Sequence, residues 1–69
     1  QAENAQVYLT KAIEIAPTDG DLYYFRGLAA MQGKKNEAAC GDLKKFLELS
    51  PGSTDAKEAR ELVQALKCK

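Results

Sequence analysis

The chain has 69 residues, with ten Lys plus Arg, ten Asp plus Glu and no His. A chain of this length forms at most one small domain, whose core rarely contributes more than about 3–5 kcal/mol without a disulfide, a metal or a neighbouring subunit. The balanced charge argues against nucleic acid or an anionic membrane as partner, and no apolar run, such as residues 28–31, is longer than four residues, which is too short to span a bilayer.

The first predicted helix covers residues 3–16. Its apolar side chains recur every three or four residues, which is the spacing of one helical face: Ala5, Tyr8, Leu9, Ala12, Ile13 and Ala16. Pro17 ends this helix because it disfavours helical geometry at the preceding residue and lacks an N–H donor. In the tight turn that follows, Thr18 or Asp19 can accept a hydrogen bond from the start of the next helix.

The second predicted helix covers residues 20–32 and is apolar almost all the way round, so it needs neighbours on more than one side. Gly27 in its middle costs about 1 kcal/mol relative to Ala. We therefore expect a close approach of another helix at Gly27. In the next turn, Gly33 is suited to a left-handed C-cap and Asn36 to the N-cap of the following helix.

The third and fourth predicted helices cover residues 37–49 and 54–67. One face of the third carries Ala39, Leu43, Phe46 and Leu47. Ser53 is predicted to cap the fourth helix, whose single apolar stripe faces a strongly polar back. A helix with one apolar stripe and a polar back is typical of the end of a repeat array.

The chain also repeats itself at an offset of 34 residues, a period typical of helix-turn-helix repeats. The matching pairs are Ala5 and Ala39, Leu9 and Leu43, Lys11 and Lys45, Ile13 and Leu47, Glu14 and Glu48, Ile15 and Leu49, Pro17 and Pro51, and Asp21 and Asp55.

These residues resemble the tetratricopeptide repeat, whose pattern has an aromatic residue and Leu-Gly-x-x-Tyr on the first helix, Ala-x-x-x-Phe on the second and a final Pro. The matching positions here are Tyr23, Gly27, Ala39 and Pro51. Arg26, Ala30 and Leu43 depart from the pattern by replacing its Leu, Tyr and Phe. Glu61 stands where a further repeat would have its Gly, which favours a cap.

The resemblance implies an all-α fold in which antiparallel helix-turn-helix repeats stack as a right-handed α-solenoid. Residues 3–16 would be the second helix of a partial repeat, residues 20–49 a complete repeat and residues 54–67 a C-terminal capping helix. It also implies a protein-interaction scaffold that binds a partner peptide or helix in an apolar groove. The groove positions would be Asp21, Tyr24, Phe25, Leu28, Met31 and Gln32. Alternatively, other units of the array cover part of this surface.

A second hypothesis is self-association as a homo-oligomer. The first helix lacks the partner helix of its own repeat, which leaves the side with Ala5, Leu9 and Ala12 partly uncovered, and arrays usually need about three repeats for stability. Either the chain is a piece of a longer protein, or two copies of it cover each other.

Catalysis has little support in the sequence, since there is no His, phosphate-binding loop or metal-ligand spacing. We expect no catalytic residue, metal or cofactor. Cys40 and Cys68 permit one disulfide, but an isolated pair favours a packed thiol at Cys40 and an unpaired Cys68 near the chain end. Two cysteines suit both cytosolic and exported proteins, so the compartment is not defined.

Overall fold

The computed structural model describes the backbone of residues 2–68 and the side chains of residues 4–68. Its described part contains four α-helices and no strand: α1 (Ala2–Ile15), α2 (Gly20–Gln32), α3 (Asn36–Leu49) and α4 (Ala56–Ala65). The most extensive packing is between α2 and α3, while α1 packs on α2 and α4 packs on α3. The prediction of an all-α helical repeat is confirmed.

The core lies where α2, α3 and α4 meet. Tyr24, Leu43, Phe46 and Ala59 form a buried cluster, and the ring centroids of Tyr24 and Phe46 are 4.8 Å apart. Half-buried apolar side chains of α2, α3 and α4 pack around this cluster: Tyr23, Leu28, Met31, Leu47, Leu62, Val63 and Leu66. The core is therefore shared by three helices, and α1 contributes little to it.

α2 and α3 approach each other closely at Gly27, as the sequence predicts. A Cβ atom at this position would lie 3.1 Å from Cγ of Leu43 and 3.4 Å from Cβ of Asp42. Both distances are at or below the lower limit of ordinary van der Waals contact distances for a Cβ atom. The absence of a side chain at Gly27 allows α3 to lie this close.

The turns differ from the prediction in several details. Of the two predicted candidates, Asp19 caps α2, by accepting a hydrogen bond from the Asp21 N–H. Gly33, however, has an ordinary negative φ, and the left-handed residue is Lys34, with φ 59°. The Lys35 N–H donates to the Ala30 carbonyl and the Lys34 N–H donates to the Met31 carbonyl, a Schellman motif that puts the left-handed residue one position later.

The caps of α3 and α4 were also predicted wrongly. Asn36 is the first residue of α3, and its N-cap is Lys35, whose side chain makes no capping hydrogen bond. Ser53 lies in the turn before α4, where its hydroxyl accepts a hydrogen bond from the Asp55 N–H, and Asp55 is the N-cap. The turn after Pro51 is thus longer than predicted, and α4 starts two residues later.

The cysteines also contradict the prediction, because Cys40 and Cys68 form a disulfide with their Cα atoms 5.7 Å apart. Cys40 lies in the first half of α3 and Cys68 lies three residues beyond α4. Since α3 and α4 run antiparallel, the start of one is next to the end of the other. A separation of 28 residues along the chain gave no sign of this proximity.

Replacing Lys34 with Gly is expected to stabilise the fold by roughly 0.5–1 kcal/mol, because only Gly adopts a positive φ without a steric cost from Cβ. Urea unfolding followed by circular dichroism measures the difference. Lys35→Gly is the matched control: Lys35 has φ −100°, so Gly brings no relief there and should leave stability unchanged or lower it. Equal effects of the two substitutions would contradict the assignment of the strained residue.

Candidate partner-binding surface

The six predicted groove residues all lie on α2 but differ widely in exposure. Asp21 and Gln32 are exposed near its two ends, and Phe25 is 50% exposed between them. Leu28 and Met31 are half-buried against the core. Tyr24 is only 4% exposed, so its side chain belongs to the core and does not line an open groove.

Tyr24 is covered because α4 lies over that side of α2. Its hydroxyl donates a 2.7 Å hydrogen bond to Oε2 of Glu58 on α4, and its ring packs against Phe46. The hydrogen bond to the Glu58 carboxylate, together with burial, raises the pKa of Tyr24 to about 12. The phenol is therefore neutral at physiological pH and acts as a donor that ties α2 to α4.

The three exposed residues of this set form a row along α2 together with the half-buried Leu28, at spacings of four, three and four residues. We call this row the α2 strip: Asp21, Phe25, Leu28 and Gln32. Its centre is apolar and its two ends are polar. Side chains at these spacings lie on one helical face, so a single bound segment can contact all four.

A second apolar surface lies on α1. Ala5, Leu9 and Ala12, the residues predicted to be uncovered, are half-buried. The most exposed large apolar side chains of α1 are Val7, Tyr8 and Ile15, at 58%, 79% and 86%. We call these three residues the α1 outer face. Tyr8 and Ile15 are seven positions apart and therefore on the same side of the helix, which their spacing in the sequence already indicates.

Arg26 connects three helices. Its Nε and Nη2 atoms donate to the two carboxylate oxygens of Asp42 on α3, at 2.9 and 2.8 Å, and its Nη1 donates to Thr10 on α1 at 3.3 Å. The guanidinium also lies 5.7 Å from the ring centroid of Tyr23, within the range of a cation–π contact. The hydrogen bonds to Asp42 raise the pKa of Arg26 above its ordinary value, which keeps the guanidinium charged.

Among the residues that the structure describes, no group of three or more His, Cys, Asp or Glu side chains could hold a metal ion. None of the four described helices is long and apolar enough to cross a bilayer.

The fold and the period together define a helical-repeat protein. A family model for the tetratricopeptide repeat matches residues 1–19 and 20–53, and the chain belongs to this family. No curated protein and no solved structure matches the chain significantly. Tetratricopeptide repeats generally mediate protein–protein interaction, and they are typically scaffolds without catalytic activity.

The raised pKa of Tyr24 predicts a loss of stability at alkaline pH. Folding favours the neutral phenol, so its contribution is complete below the ordinary value near 10 and is lost as the pH rises from about 10 to about 12. Replacing Tyr24 with Phe should cost about 1 kcal/mol at neutral pH and should make stability less dependent on pH in this window. Urea unfolding at pH 8 and pH 11.5 measures both effects.

Glu58→Gln is the matched control for this measurement, since it keeps a hydrogen-bond acceptor at the site but removes the carboxylate charge. Its pH dependence should lie between those of the wild type and Tyr24→Phe. An unchanged alkaline loss in Tyr24→Phe would show that another group is responsible.

Proposed function

We propose that this chain is a protein-interaction scaffold that binds an amphipathic helix or short apolar segment of a partner along the α2 strip. The observation that carries the proposal is Phe25, a large aromatic side chain that is half exposed in the middle of a helix. Aromatic residues at the centre of an interface contribute a large share of binding energy. A helix or peptide that lies along α2 would cover Phe25 and Leu28 together.

The polar ends of the strip support the same proposal. Asp21 and Gln32 are both exposed, so they can form hydrogen bonds at the margins of an interface whose centre is apolar. Such an arrangement suits a segment with two or three apolar anchors at helical spacing and a polar remainder. It does not suit a strongly acidic or basic ligand, because the strip itself carries one charged residue.

We also propose that α4 caps the array. Its outward side is exposed and polar, with Lys57, Arg60, Glu61 and Gln64. A further helix packed there would have to desolvate several charges without partners, which is unfavourable. The direction in which repeats can stack on this chain is therefore limited to the side of α1.

Replacing Phe25 with Ser should weaken partner binding at least tenfold, because the variant loses the central aromatic contact. A partner peptide is first selected from a displayed library of amphipathic helical peptides, and its Kd is then measured by fluorescence anisotropy. Ile15→Ser is the matched control, since Ile15 is also an exposed apolar residue but lies on α1. If Phe25→Ser bound the peptide unchanged and Ile15→Ser bound it more weakly, the binding site would lie on α1 and the proposal would be wrong.

A second candidate function is self-association through the α1 outer face. Asp42 is the residue 34 positions after Tyr8, and it is only 8% exposed because α2 packs against it and Arg26 pairs with it. Tyr8, the equivalent residue of α1, is 79% exposed, with no described helix packed over it. A helix of a second copy could pack over Tyr8, since exposed apolar patches mark contact surfaces.

Light scattering over a hundredfold range of concentration tests this second candidate. Self-association predicts a mass that rises towards that of a dimer, and a double substitution of Tyr8→Ser and Ile15→Ser should return it to the monomer value. Phe25→Ser serves as the control and should leave the dimer intact. A monomer throughout the range would eliminate the hypothesis.

A further inference from the structure

Cys68 is directed towards α3 by the turn that ends α4. The Cys68 N–H donates to the Val63 carbonyl and the Lys67 N–H donates to the Gln64 carbonyl, which is a second Schellman motif, and Lys67 is left-handed with φ 55°. This turn reverses the chain and brings Cys68 to Cys40. The disulfide thus fixes the C-terminal end of α4, and the turn after Pro51 fixes its N-terminal end.

Few other contacts hold α4. The helix has ten residues, of which four are charged, and its fully buried residues are Ala56 and Ala59. Leu62, Val63 and Leu66 are half-buried. An isolated helix shorter than about 12–15 residues is marginal in water, so α4 depends on its docking and on the disulfide to stay helical.

The apolar surface beneath α4 belongs to α2 and α3. Ala59 is part of the cluster that contains Tyr24, Leu43 and Phe46, and Glu58 accepts the hydrogen bond of the Tyr24 hydroxyl. Met31 and Leu28 of α2 pack against the same cluster. If α4 moved away, Tyr24 and Phe46 would lose part of their cover, and an apolar groove continuous with the α2 strip would open.

We propose that α4 is a lid, latched by the Cys40–Cys68 disulfide, over a second helix-binding surface formed by Tyr24, Met31, Leu43 and Phe46. Reduction of the disulfide releases the lid. The occupant is an amphipathic partner helix with small residues in the places of Ala56 and Ala59, since the fully buried positions of α4 hold only methyl groups. The idea that one partner occupies both this surface and the α2 strip rests on the proposed function. The opening of the lid on reduction does not.

The reductant for this step is a dithiol. Its first thiolate attacks one sulfur of the disulfide and forms a mixed disulfide, and its second thiolate displaces the remaining protein sulfur. The dithiol is oxidised by two electrons to a disulfide, and Cys40 and Cys68 take up two protons as thiols. Both cysteines are half-buried and border an open depression that Lys44 and Lys67 also line, together with Glu37. The positive charges of Lys44 and Lys67 stabilise the thiolate that leaves the disulfide.

Hydrogen exchange of the oxidised and dithiol-reduced chain, read by mass spectrometry, tests the lid. Reduction should raise exchange at least tenfold at the amides of residues 59–65 while those of α2 and α3 keep most of their protection. The Cys40→Ser, Cys68→Ser double variant should match the reduced chain and should not respond to the dithiol. Unchanged exchange in α4 after confirmed reduction, or an equal rise in all helices, would overturn the proposal. The same experiment is repeated with the Lys34→Gly variant, whose fold is expected to be more stable. This separates the opening of α4 from the global unfolding of a chain of marginal stability.

The surface is tested with a labelled synthetic peptide of residues 54–67, which carries the apolar stripe of α4. It should bind the reduced chain at least tenfold more tightly than the oxidised chain, and the same peptide with Ala59→Glu should not bind either form. A lid that opens without binding this peptide would overturn the assignment of the surface. Neither experiment uses the unknown partner, so a failure of the proposed function would leave both results unchanged.

Discussion

The contact between Gly27 and Leu43 is the constraint on which the rest of the structure depends. Because α2 has no side chain at this point, α3 lies close enough for Leu43 and Phe46 to meet Tyr24 in one buried cluster. α4 then packs on that cluster through Ala59. In a chain of this size a core of so few large side chains leaves little margin, and a wider separation of α2 and α3 would leave a gap that no neighbour could fill.

The Arg26 ion pair shows how a departure from the family pattern can be compensated within the same repeat. An arginine in place of the usual Leu brings a charge between packed helices, which is unfavourable without a partner. Asp42 supplies that partner in bidentate geometry, and Thr10 and the Tyr23 ring provide further contacts. Ala30, one turn later on α2, is almost completely buried, and its small side chain leaves room beside the guanidinium. Arg26 and Ala30, two of the three departures from the family pattern, are thus accommodated together in one place.

Much of the fold was predictable because it is encoded locally. Apolar spacing, Pro17, Pro51 and the period of 34 residues predict the four helices to within two residues at each end. The Asp19 cap and the close approach at Gly27 were predicted for the same reason. Two of the missed features depend on proximity in three dimensions: the disulfide and the ion pair of Arg26 and Asp42. The others are local details of turns, namely the left-handed Lys34 and the N-caps of α3 and α4, where several neighbouring residues are equally suitable by type.

The site was less predictable than the fold. A helix that is apolar almost all the way round does not indicate which neighbour covers which side, so Tyr24 and Phe25 looked equivalent in the sequence. The structure separates them, with Tyr24 under α4 and Phe25 half exposed. The seven-residue spacing of Tyr8 and Ile15 places them on the same side of α1, but only the structure shows that this side is exposed.

The covalent topology of the chain has a consequence for its resistance to proteases. The disulfide closes a ring that contains most of α3, the turn after Pro51 and all of α4. Exposed turns such as the one containing Pro51 and Gly52 are preferred sites of cleavage. A single cut there opens the ring but leaves α4 attached through Cys40, so the helix is lost only when cleavage and reduction both occur. The core therefore loses α4 permanently only after two independent reactions, hydrolysis of the chain and reduction of the disulfide.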